Sequence, residues 1–154
     1  MVDIIDLLRD KLNNKTEKFS HICLISTEKL SKMHKINKLT VVGLSSSKSR
    51  YNTKYISTHA EIRAIQNLKH KLGKFKIKNI NVNILVLRFS NDGKFNNSAP
   101  CHHCCIELEK YKNNGINIKN LYYSENNLSI RKLKFDDYLL ENKYITKGWK
   151  NLRL

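Results

Sequence analysis

The chain has 154 residues, with 29 Lys and Arg against 13 Asp and Glu, a formal charge of +16, four Cys, five Gly and one Pro. At this length a single domain spanning 1–154 is expected, and 40% hydrophobic with 27% charged residues is a globular composition, which excludes disorder as the default. No apolar run approaches the roughly 18 to 20 residues of a spanning helix, and three of the four cysteines fall within 101–105, too close to staple a fold. A membrane protein and a secreted disulfide scaffold are thereby excluded. Because Met1-Val2-Asp3-Ile4 also lacks the basic start of a signal peptide, a soluble intracellular protein is expected.

In chain order, 3–13 places Ile4, Ile5, Leu8 and Leu12 at helical spacing, with Asp3 and Asp6 in the first turn, where they suit the helix dipole. Two short runs rich in β-formers follow, HICLIS at 21–26 and KLTVVGL at 38–44, and predict a hairpin with a long connection. The polar segment 45–58 reads as a loop. Residues 59–72 turn helical, with Ile62, Ile65, Leu68 and Leu72 on one side and Gly73 as the expected stop. INVNILVLRF at 80–89 is apolar enough for a central strand covered on both faces.

The turn-rich loop 90–100 then leads to a helix over 101–114, with Ser98 as the expected N-cap and Pro100 in the first turn. Residues 116–135 predict two strands around a turn at Glu125-Asn126-Asn127, and so short a link permits only an antiparallel pair. A closing helix at 136–142 and a basic tail complete the chain. This order predicts a three-layer α/β/α architecture around a mixed five-stranded sheet, with antiparallel hairpins at both ends of the chain.

Two helix starts carry the chemistry: His59-Ala60-Glu61 and Pro100-Cys101-His102-His103-Cys104. Cys101 and Cys104 are three apart, so at a helix start both thiols face one way, and the helix N-terminus stabilises them as thiolates. His59 completes a nitrogen and sulfur donor set of the kind that favours zinc. Three ligands leave a fourth position for water, the mark of a catalytic site; His102, His103 or Cys105 could instead fill it and make the site structural. Glu61 would sit beside that water without ligating the metal, as a proton carrier.

HAE at 59–61 followed by PCHHC at 100–104, each opening a helix, resembles the H-x-E and P-C-x-x-C zinc signature of the cytidine deaminase superfamily. The order of elements from residue 3 to about 140 is similar to that fold as well. The resemblance implies one catalytic zinc per chain on His59, Cys101 and Cys104, with Glu61 as the catalytic proton shuttle. It implies hydrolytic deamination at C4 of a cytosine ring, with Glu61 protonating N3 and then the departing amine, so that uracil and ammonia form.

The substrate stays open between a free cytidine or deoxycytidine nucleoside or nucleotide and single-stranded nucleic acid. The nucleoside enzymes' N-x-E ribose element is missing from 45–58, where Tyr51, Asn52 and Tyr55 are the comparable substrate-binding candidates, joined by Phe95 and His102. An antiparallel final hairpin resembles the nucleoside and toxin branches and favours a small substrate. The charge pulls toward nucleic acid: Lys48, Arg50 and Lys54 flank the site on one side, Lys94 and Phe95 on the other, and Lys147, Trp149 and Lys150 lie in the tail. Lys, Asn and Ile, however, make 58 of the 154 residues, the bias that AT-rich coding produces, so the +16 is either a selected surface or compositional drift. The alternative of another class is a catalytically silent zinc domain that binds nucleic acid.

Overall fold

The computed structural model describes residues 4–13, 21–49, 55–89, 94–126 and 129–141. In chain order the elements are α1 (Ile4–Asn13), β1 (His21–Ser26), β2 (Val41–Leu44), β3 (Ser46–Ser49), β4 (Tyr55–Thr58), α2 (Ala60–Phe75), β5 (Ile80–Phe89), β6 (Phe95–Asn96), α3 (His102–Lys110), β7 (Ile116–Ser124), β8 (Ile130–Lys134) and α4 (Phe135–Glu141). A 3-10 turn, Leu30–Lys32, lies between β1 and β2, and a second, Tyr111–Asn114, prolongs α3 to Gly115. No helix among the described residues is long and apolar enough to cross a membrane.

The main sheet runs β2-β1-β5-β7-β8, with β6 paired to β5 as a sixth strand. Among the described strands only β5 and β7 pair in parallel, and α3 makes the crossover between them; β1/β2 and β7/β8 are antiparallel hairpins. Side chains alternate across the sheet with period two. Cys23 and Ile25 of β1 and Val82, Ile84 and Val86 of β5 join Ala64, Ile65, Leu68 and Leu108 from α2 and α3 on one face. Ile22, Leu24, Leu85 and Leu87 join Ile4 and Leu8 of α1 on the other. Both faces of β5 are thus covered, which is why its sequence reads as a nearly unbroken apolar run. For the same reason Tyr122 and Tyr123 are both buried, one in each core.

Four details differ from the sequence-based expectation. The sheet has six strands, because Phe95 and Asn96 pair back onto Phe89 and Arg88. The segment 45–58 contains a separate antiparallel ribbon, β3 with β4, running from Ser46 opposite Thr58 to Ser49 opposite Tyr55. Its polar, Ser-rich sequence hides the alternation by which a half-buried strand is recognised. Helix α2 does not stop at Gly73 but runs on to Phe75 and ends at Lys76 in the left-handed region, φ 56°. A glycine inside a helix and a lysine in the left-handed region each cost about 1 kcal/mol relative to the reverse arrangement. Finally, Cys101, not Ser98, is the N-cap of α3, and Pro100 stands one residue before it.

Gly43 determines how close α2 lies to the sheet. A Cβ there would collide with the carbonyl oxygen of Ala60 and stand 2.5 Å from the backbone nitrogen of Ala64, so the first turns of α2 rest directly on β2. Replacing Gly43 with Ala is expected to cost about 1–3 kcal/mol of stability by forcing helix and strand apart. Chemical denaturation measures that loss, and a Gly43→Ala chain as stable as the parent would contradict the close packing.

Candidate metal centre

His59 is the N-cap of α2 and Cys101 the N-cap of α3, so the two helix N-termini present their first side chains to each other. The His59 backbone is extended, φ −72° and ψ 147°, and its side chain makes no capping bond, which leaves the imidazole to turn toward α3. Its Nδ1 lies 3.0 Å from Cys104 Sγ and 3.7 Å from Cys101 Sγ. Cys101 Sγ accepts a hydrogen bond from the Cys104 backbone N–H at 3.4 Å. The three donor atoms all lie within 4.8 Å of one another.

A tetrahedral zinc, with bonds of about 2.0 Å to nitrogen and about 2.3 Å to sulfur, separates its donors by about 3.5–3.8 Å. The His59–Cys101 separation matches that range, the His59–Cys104 separation is about half an ångström short of it, and the whole set is compact enough to hold such an ion after small side-chain adjustments. Among the described residues no further His, Cys, Asp or Glu belongs to the cluster. Cys105, one of the possible fourth ligands, is buried and directs its thiol toward the Pro100 carbonyl at 3.9 Å. His102 and His103 occupy the first turn of α3, half-buried and outside the cluster.

Electrostatics in the metal-free site follow from this crowding. The Cys101 thiol is held down to about 4 by the hydrogen bond from Cys104, and the His59 contact adds to that, while burial opposes it. Cys104, which supplies that hydrogen bond, keeps its proton, and its own burial pushes the same way. His59 is raised by its hydrogen bond to Cys101, against burial, and the charges of Cys101 and Glu61 add to the rise. Although Cys104 is the nearer sulfur, Cys101 is the one that carries the charge, so His59 pairs electrostatically with Cys101.

Glu61 is only 4% exposed. Burial raises its carboxyl above the usual range, while the His59 charge and a hydrogen bond from Cys104 pull it partly back. Ordinarily a buried carboxylate without a cation is expensive. Here the cationic neighbour is His59, and the group sits where a proton can be taken up or released.

The remaining site candidates divide. Tyr51 and Asn52 lie outside the described residues, as do Arg50, Lys54, Lys147, Trp149 and Lys150. Tyr55 opens β4 opposite Ser49. Phe95 is not brought to the site: it is 4% exposed, belongs to the α1-side core and packs its ring 5.3 Å from that of Phe89. Pairing with β5 turned it inward, which the polar run around it concealed.

Four residues around the site have roles that were not recognisable from the sequence. Ser98 and Ser124, both buried, tie the loop before α3 to the ends of β5 and β7. Ser98 donates to the Val86 carbonyl at 2.7 Å and accepts from the Ser124 N–H at 2.8 Å, and Ser124 donates to the Asn96 carbonyl at 2.7 Å. Tyr138 on α4 donates its hydroxyl to the Pro100 carbonyl at 2.6 Å, one residue before the claw. His21 opens β1 with its imidazole lowered to about 4, first by burial and then by the charges of Arg88 and His59. Short polar residues in a loop and a tyrosine near a chain end carry no local signature, because what defines them is a partner far away in sequence.

No protein-family model matches the chain, and no curated protein matches it. The structure thus shows a mixed α/β domain with a His/Cys/Cys group able to hold a metal ion, compatible with zinc.

Two outcomes follow from this geometry. Between about pH 4 and pH 6.5 the metal-free site holds protons on His59 and Cys104 but has lost that of Cys101. Zinc must displace both, so the logarithm of its association constant is expected to rise with pH at a slope of about two. Competition with a chromophoric chelator across this range measures the slope, and a pH-independent constant would refute the protonation pattern. Separately, Tyr138→Phe removes the hydroxyl that holds the Pro100 carbonyl and is expected to cost about 1–2 kcal/mol and to weaken zinc binding. Equal zinc affinity in the variant would show that Tyr138 serves stability alone.

Proposed function

We propose that the chain is a zinc-dependent hydrolytic deaminase that converts the cytosine of a cytidine or deoxycytidine moiety to uracil. The observation that carries this is the placing of Glu61: a buried carboxyl of raised pKa beside three side chains able to hold a metal, with no fourth such ligand in the cluster among the described residues. A purely structural metal site has no use for such a group, since its four ligands close the coordination sphere. The HAE and PCHHC motifs supply the second support, by their resemblance to the deaminase signature.

His59, Cys101 and Cys104 would hold the ion, and zinc when bound supplies a Lewis acid that brings the pKa of water from 15.7 toward about 7. Glu61 accepts the proton that water gives up. It then protonates N3 of the ring, which weakens the C4–N bond as the ring loses aromatic character. The water oxygen adds to C4, and its second proton passes through Glu61 to the exocyclic nitrogen. The C4–N bond breaks and ammonia leaves, the oxygen stays on C4 as the carbonyl, and Glu61 ends as it began. Burial serves this role because a carboxyl raised toward neutrality both takes and returns protons readily. Substrates of two kinds fit the motif, the free nucleoside or nucleotide and the cytosine of a single strand.

Glu61→Ala is expected to keep one zinc per chain and to lose deamination by about 10²–10⁴-fold. Uracil formation from cytidine, deoxycytidine monophosphate and a cytosine-containing single strand, read by mass spectrometry beside zinc content, tests both the activity and the substrate class. A zinc-loaded parent that yields uracil from none of the three would support instead the catalytically silent, nucleic-acid-binding domain.

A further inference from the structure

The C-terminal half of α2 breaks two local rules at once. Gly73 lies inside the helix, exposed, and a Cβ there would meet nothing within 4 Å, so neither packing nor backbone conformation calls for glycine. Three residues on, Lys76 takes up the left-handed conformation in which glycine is favoured, the one non-glycine residue with positive φ among the described residues. Local choices that oppose stability with no structural return gather at functional positions.

The surroundings indicate a function. Gly73 lies in a groove of about 640 Å³ between α2 and the 3-10 turn after α3, lined by Gln66, Lys69, His70, Lys74 and Tyr111 as well. The Lys69 ammonium lies 5.8 Å from the centre of the Tyr111 ring, and those of Lys38 and Lys74 lie 4.9 and 5.9 Å from that of Phe75. Aromatic faces thus hold the cations in place without neutralising them. Among the described residues none of the three lysines is ion-paired with a carboxylate, and the single acid of α2, Glu61, is buried at the other end. Attraction to the helix C-terminus accounts for a lysine in the last turn, but not for Lys69, Lys38 or the glycine.

We propose that this groove, extended past its rim by Lys38, which shares the Phe75 ring with Lys74, binds the sugar-phosphate backbone of single-stranded nucleic acid, with phosphates on Lys69 and Lys74 in the groove and on Lys38 beside it, and close approach of the strand over Gly73. A membrane surface suits the face less well, because α2 turns its apolar side, Ala64, Ile65, Leu68 and Leu72, into the core and leaves only the edge of Phe75 exposed. Gln66, His70 and Tyr111 offer instead the hydrogen-bonding and stacking groups that bases use. Lys69 is ten residues from His59, about 15 Å along the helix, so the groove is separate from the metal centre. It does not depend on the deaminase activity.

The test uses the full zinc-loaded chain and a fluorescent thymine-only strand of about 16 nucleotides, the upper end of single-strand site sizes, which offers no cytosine to the metal centre. Fluorescence anisotropy over a salt series reads the affinity and its slope. Lys38→Gln, Lys69→Gln and Lys74→Gln together are expected to lower the slope by about two, at roughly 0.7 per phosphate contact. The matching triple at Lys119, Lys132 and Lys134, equally exposed on β7 and β8, is expected to lower it by less. Equal losses from the two triples would mean a general field and would overturn the proposal, as would binding of polyglutamate as tight as that of the strand. Gly73→Leu places a side chain in the groove and is expected to weaken binding about tenfold while the melting temperature holds or rises; binding within about twofold of the parent would also overturn it.

Discussion

The N-cap positions of α2 and α3 are both given to metal donors, and most of the fold is arranged to make those two helix starts meet. An N-cap is where Ser, Thr, Asp or Asn would contribute about 1 kcal/mol by bonding the free N–H groups of the first turn. His59 makes no such bond, and Cys101 makes one only through sulfur, at 3.4 Å. Both helices therefore begin with weak local caps, and the energy that fixes their starts comes from elsewhere. A cation held by these three side chains would be one source. The positive ends of two helix dipoles would repel it, so thiolate charge is required, and Cys101 is held as a thiolate before any metal arrives.

The remaining energy comes from packing and from buried polar bonds. On the α2 side, Gly43 lets the first turn rest on β2, and Ala60 and Ala64 are small for the same reason. On the α3 side the loop 94–100 enters over the carboxyl ends of β5 and β7, where Ser98 and Ser124 replace ladder bonds that the parallel pair can no longer make. Tyr138 then fixes the last carbonyl before Cys101. Its ring packs 5.8 Å from that of Tyr123, so the hydroxyl is aimed by a buried aromatic pair. The donors are thus placed by elements from residue 43 to residue 138, while the motif itself spans few of them.

The donor cluster was legible in the sequence because its parts are local. Cys101 and Cys104 are one turn apart and His59 opens a helix of its own, so residue type and spacing pointed to the three side chains that the structure brings together. The core was legible for a similar reason, since β5 and α2 carry clean periods. What escaped depends on distant partners. Phe95 reads as a substrate candidate in a polar loop, yet its pairing with β5 turns it into the core. Ser98 has the sequence of an N-cap, but Val86 and Ser124 compete for its hydroxyl and win, leaving the cap to Cys101. Gly73 looks like a helix stop, and Leu72 nevertheless packs in the core and carries α2 a turn further before Lys76 ends it.

Charge acts on two scales in this molecule. The net +16 creates a field that draws in any anion and says little about where it stops. Position is decided by desolvation and by which neighbours are ionised, and α2 shows the contrast along one helix. At its N-terminus a single acid is buried against a cationic imidazole, where low polarity makes each charge count for several times its value in water. At its C-terminus exposed lysines sit over aromatic rings, screened by salt, and only in number can they hold a ligand. Codon bias would account for how many lysines the chain has, but it would not account for an α2 that carries its one carboxylate inside the protein and its cations outside.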